Sequence, residues 1–373
     1  MRLYLIAGEA SGDLHTANLV RALSTQKPMT IFRGMGGDNM QQAGVQLVEH
    51  IKHTNFMGFV EVVKNLPMIL SLFAKVKTDI LSFKPDAVIL VDYPGFNLRM
   101  AKWLHQHKIR VFYYISPQLW AWKKGRVKII QQFVEHLYVI LPFEQAFYKQ
   151  FNVNTTFVGH PLLDVIPQDF PDQDSIKKAL NIPLNKKILA LLPGSRKQEI
   201  QAMLPTMLKA AKQRPEYLVI VAAAPNQPVM WYQKMINQYN HRALVLADQT
   251  YKILSIADYA FVTSGTATLE TALFQVPEIV CYKGMWLSYQ IAKILVKVPF
   301  ISLVNLILEK EVVKELIQQD FSEDGLLREL SILESDDKRE SMLAQYLQLR
   351  KVLGTQGVSN ALAADMLSRL SRS

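Results

Sequence analysis

Apolar residues in this chain follow two alternating patterns. Leu3–Ala7, Thr30–Gly34, Ala87–Val91, Val111–Ile115 and His136–Ile140 are short, nearly continuous apolar runs. Between them lie stretches with apolar residues at helical spacing, such as Leu14–Leu23 and Leu98–His105. Runs that bury both faces, separated by amphipathic stretches, predict parallel strands joined by helices. After Val158-Gly159-His160-Pro161 the pattern lapses among Pro167, Pro171, Asp172 and Asp174, with little apolar periodicity until Ile176. A domain boundary is expected there. The pattern then restarts with Ile188–Leu192, Leu218–Ala222, Ala243–Leu246, Tyr259–Val262 and Glu278–Cys281, and from Glu309 onward it reads as helices, for example Lys338–Leu353. The predicted fold class is α/β. Two Rossmann-like, doubly wound parallel-sheet domains, 1–163 and 164–350, face a cleft, and 351–373 form a helical tail. Ligands of such sheets bind at the carboxyl ends of the strands.

Composition narrows the picture. The 373 residues suit two domains, and a chain that is half hydrophobic and one-fifth charged is not disordered, collagenous or a disulfide scaffold. The single cysteine, Cys281, excludes an intrachain disulfide and sits in an apolar run, which predicts a buried, inert thiol. A net charge of +10 favours anionic partners. The first apolar run is too short for a secretion signal and predicts a buried strand, and no run is long enough to cross a bilayer as a helix.

Four strand-to-helix turns hold the candidate chemistry. In Pro193-Gly194-Ser195-Arg196, Gly194 permits close backbone approach, Ser195 suits a helix cap, and Arg196 stands at a helix N-terminus, where amides favour anions. The turn reads as a phosphate grip, and equally as an ordinary βα connection with a solvated arginine. Ser264-Gly265-Thr266-Ala267 offers a second such N-terminus, and Glu270, one turn inside, suits a ribose hydroxyl. Its plain reading is a capped helix with a favourable first-turn charge. Together the two turns suggest a nucleoside diphosphate held without a P-loop.

In the first half, Asp92 ends the apolar strand Val88–Val91, where a half-dry cleft suits a general base. Turn hydrogen bonding before Pro94 is the alternative. The loop Ala7-Gly8-Glu9-Ala10-Ser11-Gly12-Asp13 places Gly8, Glu9, Ser11 and Asp13 beside the same sheet end, though Ser11 or Asp13 also suits a simple helix cap. Trp120 and Trp122, beside Lys123, Lys124 and Arg126, suit stacking on a base or sugar, with plain packing under a basic surface the default reading. Scattered histidines and a lone Asp172-Gln173-Asp174 in the linker point to no metal. Two segments are unusually apolar: Phe56–Phe73, bordered by Lys64, Lys75 and Lys77, and Trp286–Leu306, with Lys293 and Lys297. Both suit a membrane surface or acyl chains, and both suit a helix buried on two sides.

These motifs, in this order, resemble the lipid-A-disaccharide synthase family. The resemblance runs from Ala7–Asp13 through Met57-Gly58-Phe59-Val60-Glu61, Asp92–Asn97, Ser116–Trp122, Leu141-Pro142-Phe143-Glu144, Gly159-His160-Pro161 and the two turns of the second half to Val312–Leu316. It implies a GT-B glycosyltransferase that joins UDP-2,3-diacylglucosamine to the 6-hydroxyl of 2,3-diacylglucosamine 1-phosphate. A β-1,6 disaccharide 1-phosphate forms with inversion, and UDP leaves. Asp92 is then the expected base, with Glu9 and Asp13 as catalytic neighbours. Gly8, Ser11, Gly194, Ser195, Arg196, Ser264, Gly265, Thr266, Ala267, Glu270 and Asn305 are the expected substrate-binding residues. The family usually has proline before the asparagine matched by Asn305, where this chain has Val304. The resemblance further implies no cofactor or metal, no nucleic acid, and a cytoplasmic protein peripheral to the inner face of the inner membrane, with dimers formed by C-terminal swapping. Another GT-B enzyme acting on a lipid acceptor is the alternative.

Overall fold

Each apolar run becomes a strand of an all-parallel sheet. The computed structural model describes residues 1–53, 66–121, 124–167, 169, 172–225, 227–239, 242–284 and 298–372. The first sheet holds β1 (Arg2–Ala7), β2 (Ile31–Gly36), β3 (Gln46–His50), β4 (Ala87–Val91), β5 (Arg110–Tyr114), β6 (His136–Val139) and β7 (Thr155–Phe157), in the order β3-β2-β1-β4-β5-β6-β7. The second holds β8 (Lys187–Leu192), β9 (Tyr217–Ala223), β10 (Ala243–Ala247), β11 (Tyr259–Thr263), β12 (Glu278–Tyr282) and β13 (Lys314–Ile317), in the order β10-β9-β8-β11-β12-β13. In each sheet the strand order reverses once, between β1 and β4 and between β8 and β11. Such a switch point opens a crevice at the strands' carboxyl ends.

Period-2 alternation explains the layering. Leu3, Leu5 and Ala7 of β1 face a core with Leu19, Val20 and Leu23 of the helix Ala10–Gln26, while Tyr4 and Ile6 face the other side. Each fully buried aliphatic side chain contributes roughly 1.5–3 kcal/mol.

The chain divides into two compact units: Met1–Asp164 together with Leu353–Ser373, and Val165–Val352. The expected helical C-terminal segment is present, and it groups with the first unit. The last helix, Val358–Leu370, puts Leu362, Ala363 and Met366 into the first unit's core. Asp164 anchors its start by accepting hydrogen bonds from the amides of Gly357, Val358 and Ser359 at 2.8, 3.0 and 2.7 Å. Edge strands β3, β7 and β13 were not anticipated, and β13 interrupts a stretch read as purely helical.

The first apolar segment is only partly described. In the helix Leu66–Phe83, Phe73 is buried and stacked on Phe96 at 3.9 Å, and Leu72, Val76, Ile80 and Phe83 are core. Met68, Leu70 and Leu81 stay exposed, at 49%, 57% and 48%. Residues 56–65 lie outside the described residues, as do 286–297 of the second segment; Val304 and Ile307, further along it, are buried.

Glu278 opens β12 with a fully buried carboxyl, neither oxygen of which has a hydrogen-bond partner among the described residues. Burial pushes it well above the ordinary value of 4.5. The folded state therefore binds this proton more tightly than the unfolded chain does, so stability falls as pH rises past the unfolded value. Glu278→Met is expected to raise Tm, with a gain that grows from about pH 5 to about pH 8 by up to roughly 1.4 kcal/mol per pH unit. Scanning calorimetry over that range checks it; a gain that does not change with pH would contradict a proton held by the fold.

Candidate functional site

The switch point of the first unit brings two loops together. Ala7 of β1 pairs with Val91 of β4, so Gly8 and Asp92 leave the sheet side by side. Gly8 has no room for a side chain, because a Cβ there would lie 2.3 Å from the Tyr93 ring. Asp92 and Tyr93 both adopt left-handed backbone, with φ of +44° and +48°. Two consecutive non-glycine residues in that region are strained and need outside support. The Asp92 carbonyl supplies it, accepting from Asn97 Nδ2 at 2.8 Å and from the Tyr113 hydroxyl at 2.5 Å, and Asp92 N donates to Tyr114 O at 3.0 Å. Asn97 is fully buried. The backbone is thus fixed while the Asp92 side chain points elsewhere.

The Asp92 carboxyl is pushed up to about 7, first by burial and then by the Glu9 carboxylate; the Tyr93 amide opposes the shift and Glu144 adds to it. Glu9 is half-buried at the start of the helix Ala10–Gln26, and Ser11 is exposed in its first turn. Glu144 is a further buried carboxyl. It accepts from Ser116 Oγ, from Trp120 Nε1 at 3.2 Å, and from the amides of Ile140 and Leu141 at 3.1 and 3.0 Å. Burial is the main cause that raises it to about 7. Trp120 thus belongs to this packing, while Trp122 lies outside the described residues.

Asp13 is buried, whereas Asp92 is half-buried. It is 2% exposed, and both of its oxygens are taken. Oδ1 accepts from the amides of Gly37 and Met40 at 2.6 and 3.1 Å, and Oδ2 accepts from Asn39 N and Nδ2 at 3.0 and 2.9 Å. Asp13 therefore anchors the short helix Asp38–Gln42.

In the second unit Leu192 of β8 pairs with Val262 of β11, so the two ligand-suited turns are also neighbours. Gly194 takes a φ of +107°, and a Cβ on it would reach 3.5 Å from Thr263 Cγ2. Glu199 holds this turn: its Oε2 accepts from Ser195 N and Arg196 N at 3.3 and 3.2 Å, and its Oε1 meets Arg196 Nη1 at 3.3 Å. Ser195 and Arg196 are exposed. Beyond β11, Gly265 and Thr266 are exposed, and a Cβ on Gly265 would meet nothing within 4 Å. Ala267 is half-buried in the helix Thr266–Leu273, and Glu270 Oε1 accepts from the Tyr251 hydroxyl at 2.9 Å.

Ser264 and Asn305 support this turn from below. Ser264 Oγ donates to Ile301 O at 2.9 Å, and Glu315 accepts from Ile301 N and Ser302 N at 3.0 and 2.9 Å. Asn305 is fully buried: Nδ2 donates to Val313 O and Glu315 Oε1 at 2.8 and 2.9 Å, and Oδ1 accepts from Val312 N and Val313 N at 2.7 and 3.0 Å. Its hydrogen-bonding groups are thus all engaged with this loop, which Asn305 pins. Val304 fits this arrangement, because its amide, which proline would lack, donates to Ser302 Oγ at 3.1 Å. Among the described residues no group of three His, Cys, Asp or Glu is arranged to hold a metal. Cys281 is buried, as expected.

Asn97, Glu144, Glu199, Tyr251 and Glu315 carry roles that the residue pattern did not reveal. Only Glu144 and Glu199 had a local signal, an acid three residues into a helix, which marks a capping box.

Two doubly wound parallel-sheet units, with loops converging at each switch point, define the GT-B class. Among solved structures, the UDP-GlcNAc 2-epimerase from Neisseria meningitidis bound to UDP-GlcNAc is similar at a TM-score of 0.70 and 12% identity, covering 99% of this chain and 100% of that one. The calicheamicin glycosyltransferase CalG4 is similar at 0.61 and 13% identity, covering 100% and 98%. A family model described as lipid-A-disaccharide synthetase matches residues 3–366. A lipid-A-disaccharide synthase of Syntrophus aciditrophicus (strain SB) is 40% identical over 99% of this chain and 98% of its own length. One of Myxococcus xanthus (strain DK1622) is 36% identical over 99% and 97%. The chain belongs to the lipid-A-disaccharide synthase family.

Asp13→Ala strands several buried amide donors and is expected to cost roughly 2–4 kcal/mol of stability. Below its lowered melting temperature the variant should keep the parent pH–rate profile; a changed profile with an unchanged Tm would place Asp13 in the reacting group.

Proposed function

We propose that this protein transfers a 2,3-diacylglucosamine unit from UDP to the 6-hydroxyl of 2,3-diacylglucosamine 1-phosphate, inverting the anomeric carbon. The β-1,6-linked disaccharide 1-phosphate forms and UDP leaves. The observation that carries this reading is Asp92: a half-buried carboxyl at a sheet switch point, raised by burial and by Glu9. In its ionised form it takes the proton of the attacking hydroxyl as the new C–O bond forms. Burial makes it a stronger base than a solvated aspartate, and about 7 leaves a useful ionised fraction at neutral pH. Glu9 keeps a second negative charge beside the incoming hydroxyl, and Gly8 and Ser11 border the acceptor.

Charge develops on the UDP oxygens as the glycosidic bond breaks. Arg196 and the amides of Gly265, Thr266 and Ala267, at the N-terminus of the helix Thr266–Leu273, support the reading that the second unit offsets that charge. Gly194 and Ser195 let the diphosphate approach the neighbouring turn, and Glu270 meets the ribose. The scheme calls for no cofactor. Attachment to the cytoplasmic face of the inner membrane belongs to the same proposal, with exposed Met68 and Leu70 as apolar contacts beside a surface of net positive charge. So does pairing of two copies by exchange of C-terminal segments, for which the helix Val358–Leu370 is the exchangeable element.

Asp92→Asn should lower kcat by about 10²–10⁴-fold while leaving UDP affinity nearly unchanged, measured by product formation and calorimetry. The parent rate should rise with pH through about 7 as Asp92 ionises, and Glu9→Gln should move that limb to lower pH. An active Asp92→Asn enzyme would end the base assignment. Arg196→Ala should weaken UDP binding roughly 10-fold or more; an unchanged calorimetric affinity removes Arg196 from the diphosphate.

A further inference from the structure

Glu270 does not stand alone on its helix. Tyr251, near the start of the helix Thr250–Ile256, donates its hydroxyl to Glu270 Oε1 at 2.9 Å. The phenol ring is held against Phe274, with centroids 5.2 Å apart, and the Tyr251 carbonyl accepts from Ser255 Oγ at 2.8 Å. The donor is therefore fixed in place by ring packing and by its own helix. Among the described residues, Glu270 Oε2 receives no hydrogen bond. A glutamate carboxyl turns easily about its last torsion, and a single fixed donor on one oxygen stops that rotation. Burial raises the Glu270 carboxyl, and the Tyr251 hydrogen bond opposes the rise, which favours the ionised, acceptor-only form.

We propose that Tyr251 is a positioning residue: by occupying Oε1 it aims the rest of the Glu270 carboxylate at the vicinal diol of a ribose, and so makes this unit select a ribonucleoside diphosphate over its 2′-deoxy counterpart. The proposal rests on the reading above that Glu270 meets the ribose. It adds a source of specificity, since a carboxylate free to rotate accepts one hydroxyl nearly as well as two. A rigid one is paired to the full diol and loses an ionic hydrogen bond when a hydroxyl is missing.

Calorimetry of the full chain with UDP and with 2′-deoxy-UDP tests it. The parent should prefer UDP by about 10-fold or more. Tyr251→Phe should shrink that preference to about 2–3-fold through weaker UDP binding, with 2′-deoxy-UDP affinity and Tm nearly unchanged. Tyr251→4-aminophenylalanine, which keeps a donor at the same ring position, should restore the preference and guards against a folding defect in the first variant. A full preference in Tyr251→Phe, or an equal loss for both nucleotides, overturns the positioning role. Glu270→Gln separates the two layers. If it leaves the preference intact, Glu270 is not at the ribose and the underlying reading fails. If it abolishes the preference while Tyr251→Phe keeps it, only the role of Tyr251 fails.

Discussion

Parallel pairing of β1 with β4 and of β8 with β11 is the constraint on which the rest of this protein depends. At both pairings the strand order reverses, so the chain leaves the two neighbouring strands in opposite directions along the sheet and a crevice opens at their carboxyl ends. The register Ala7–Val91 sets Gly8 beside Asp92, and Leu192–Val262 sets the Gly194 turn beside the Ser264 turn. A shift of one residue in either register would turn a core side chain to the wrong face. The burial that fixes the strands therefore also fixes the chemistry.

That burial has a second effect. Asp92, Glu144, Glu270 and Glu278 all have carboxyls raised mainly by loss of water, yet their surroundings differ. Glu144 is compensated by four donors, and Glu270 by one fixed phenol. Glu278 has no compensating donor among the described residues and stands away from either turn, at the start of β12, where it works against the fold. Asp92 lies between these extremes: its main chain is tightly held, while its carboxyl faces the like charge of Glu9. A raised carboxyl marks a site only when its neighbours leave it reachable.

The central strands were legible because residues buried on both faces form continuous apolar runs, as Ala87–Val91 does. Of the edge strands, β10 was legible as Ala243–Leu246, whereas β7 is three residues long and β3 and β13 carry several polar side chains. Both phosphate-suited turns and Asp92 were visible as small or acidic residues at strand ends. The anchoring hydrogen bonds of Asp13 and Asn305 were not legible, because a helix anchor and a reactive group use the same residue types. What decides between them is the partner, which for Asp13 lies 24 residues away at Gly37. Phe73 shows the matching limit for apolar residues, since helical spacing tells which side is greasy but not what covers it. Tyr251 lacked any local signal, because its role exists only where its helix meets the one bearing Glu270.

The anchoring of Val358–Leu370 by Asp164 bears on biosynthesis. A ribosome releases residues 165–352 as one uninterrupted stretch, so the second unit is able to complete its sheet during translation. The first unit emerges earlier but lacks Leu362, Ala363 and Met366 until the helix Val358–Leu370 is made. Until then, Leu19, Val20 and Leu23 lack part of their cover, and the nascent chain carries an unfinished apolar face for most of its synthesis. Termination before Val358 would thus damage the part of the protein that was made first.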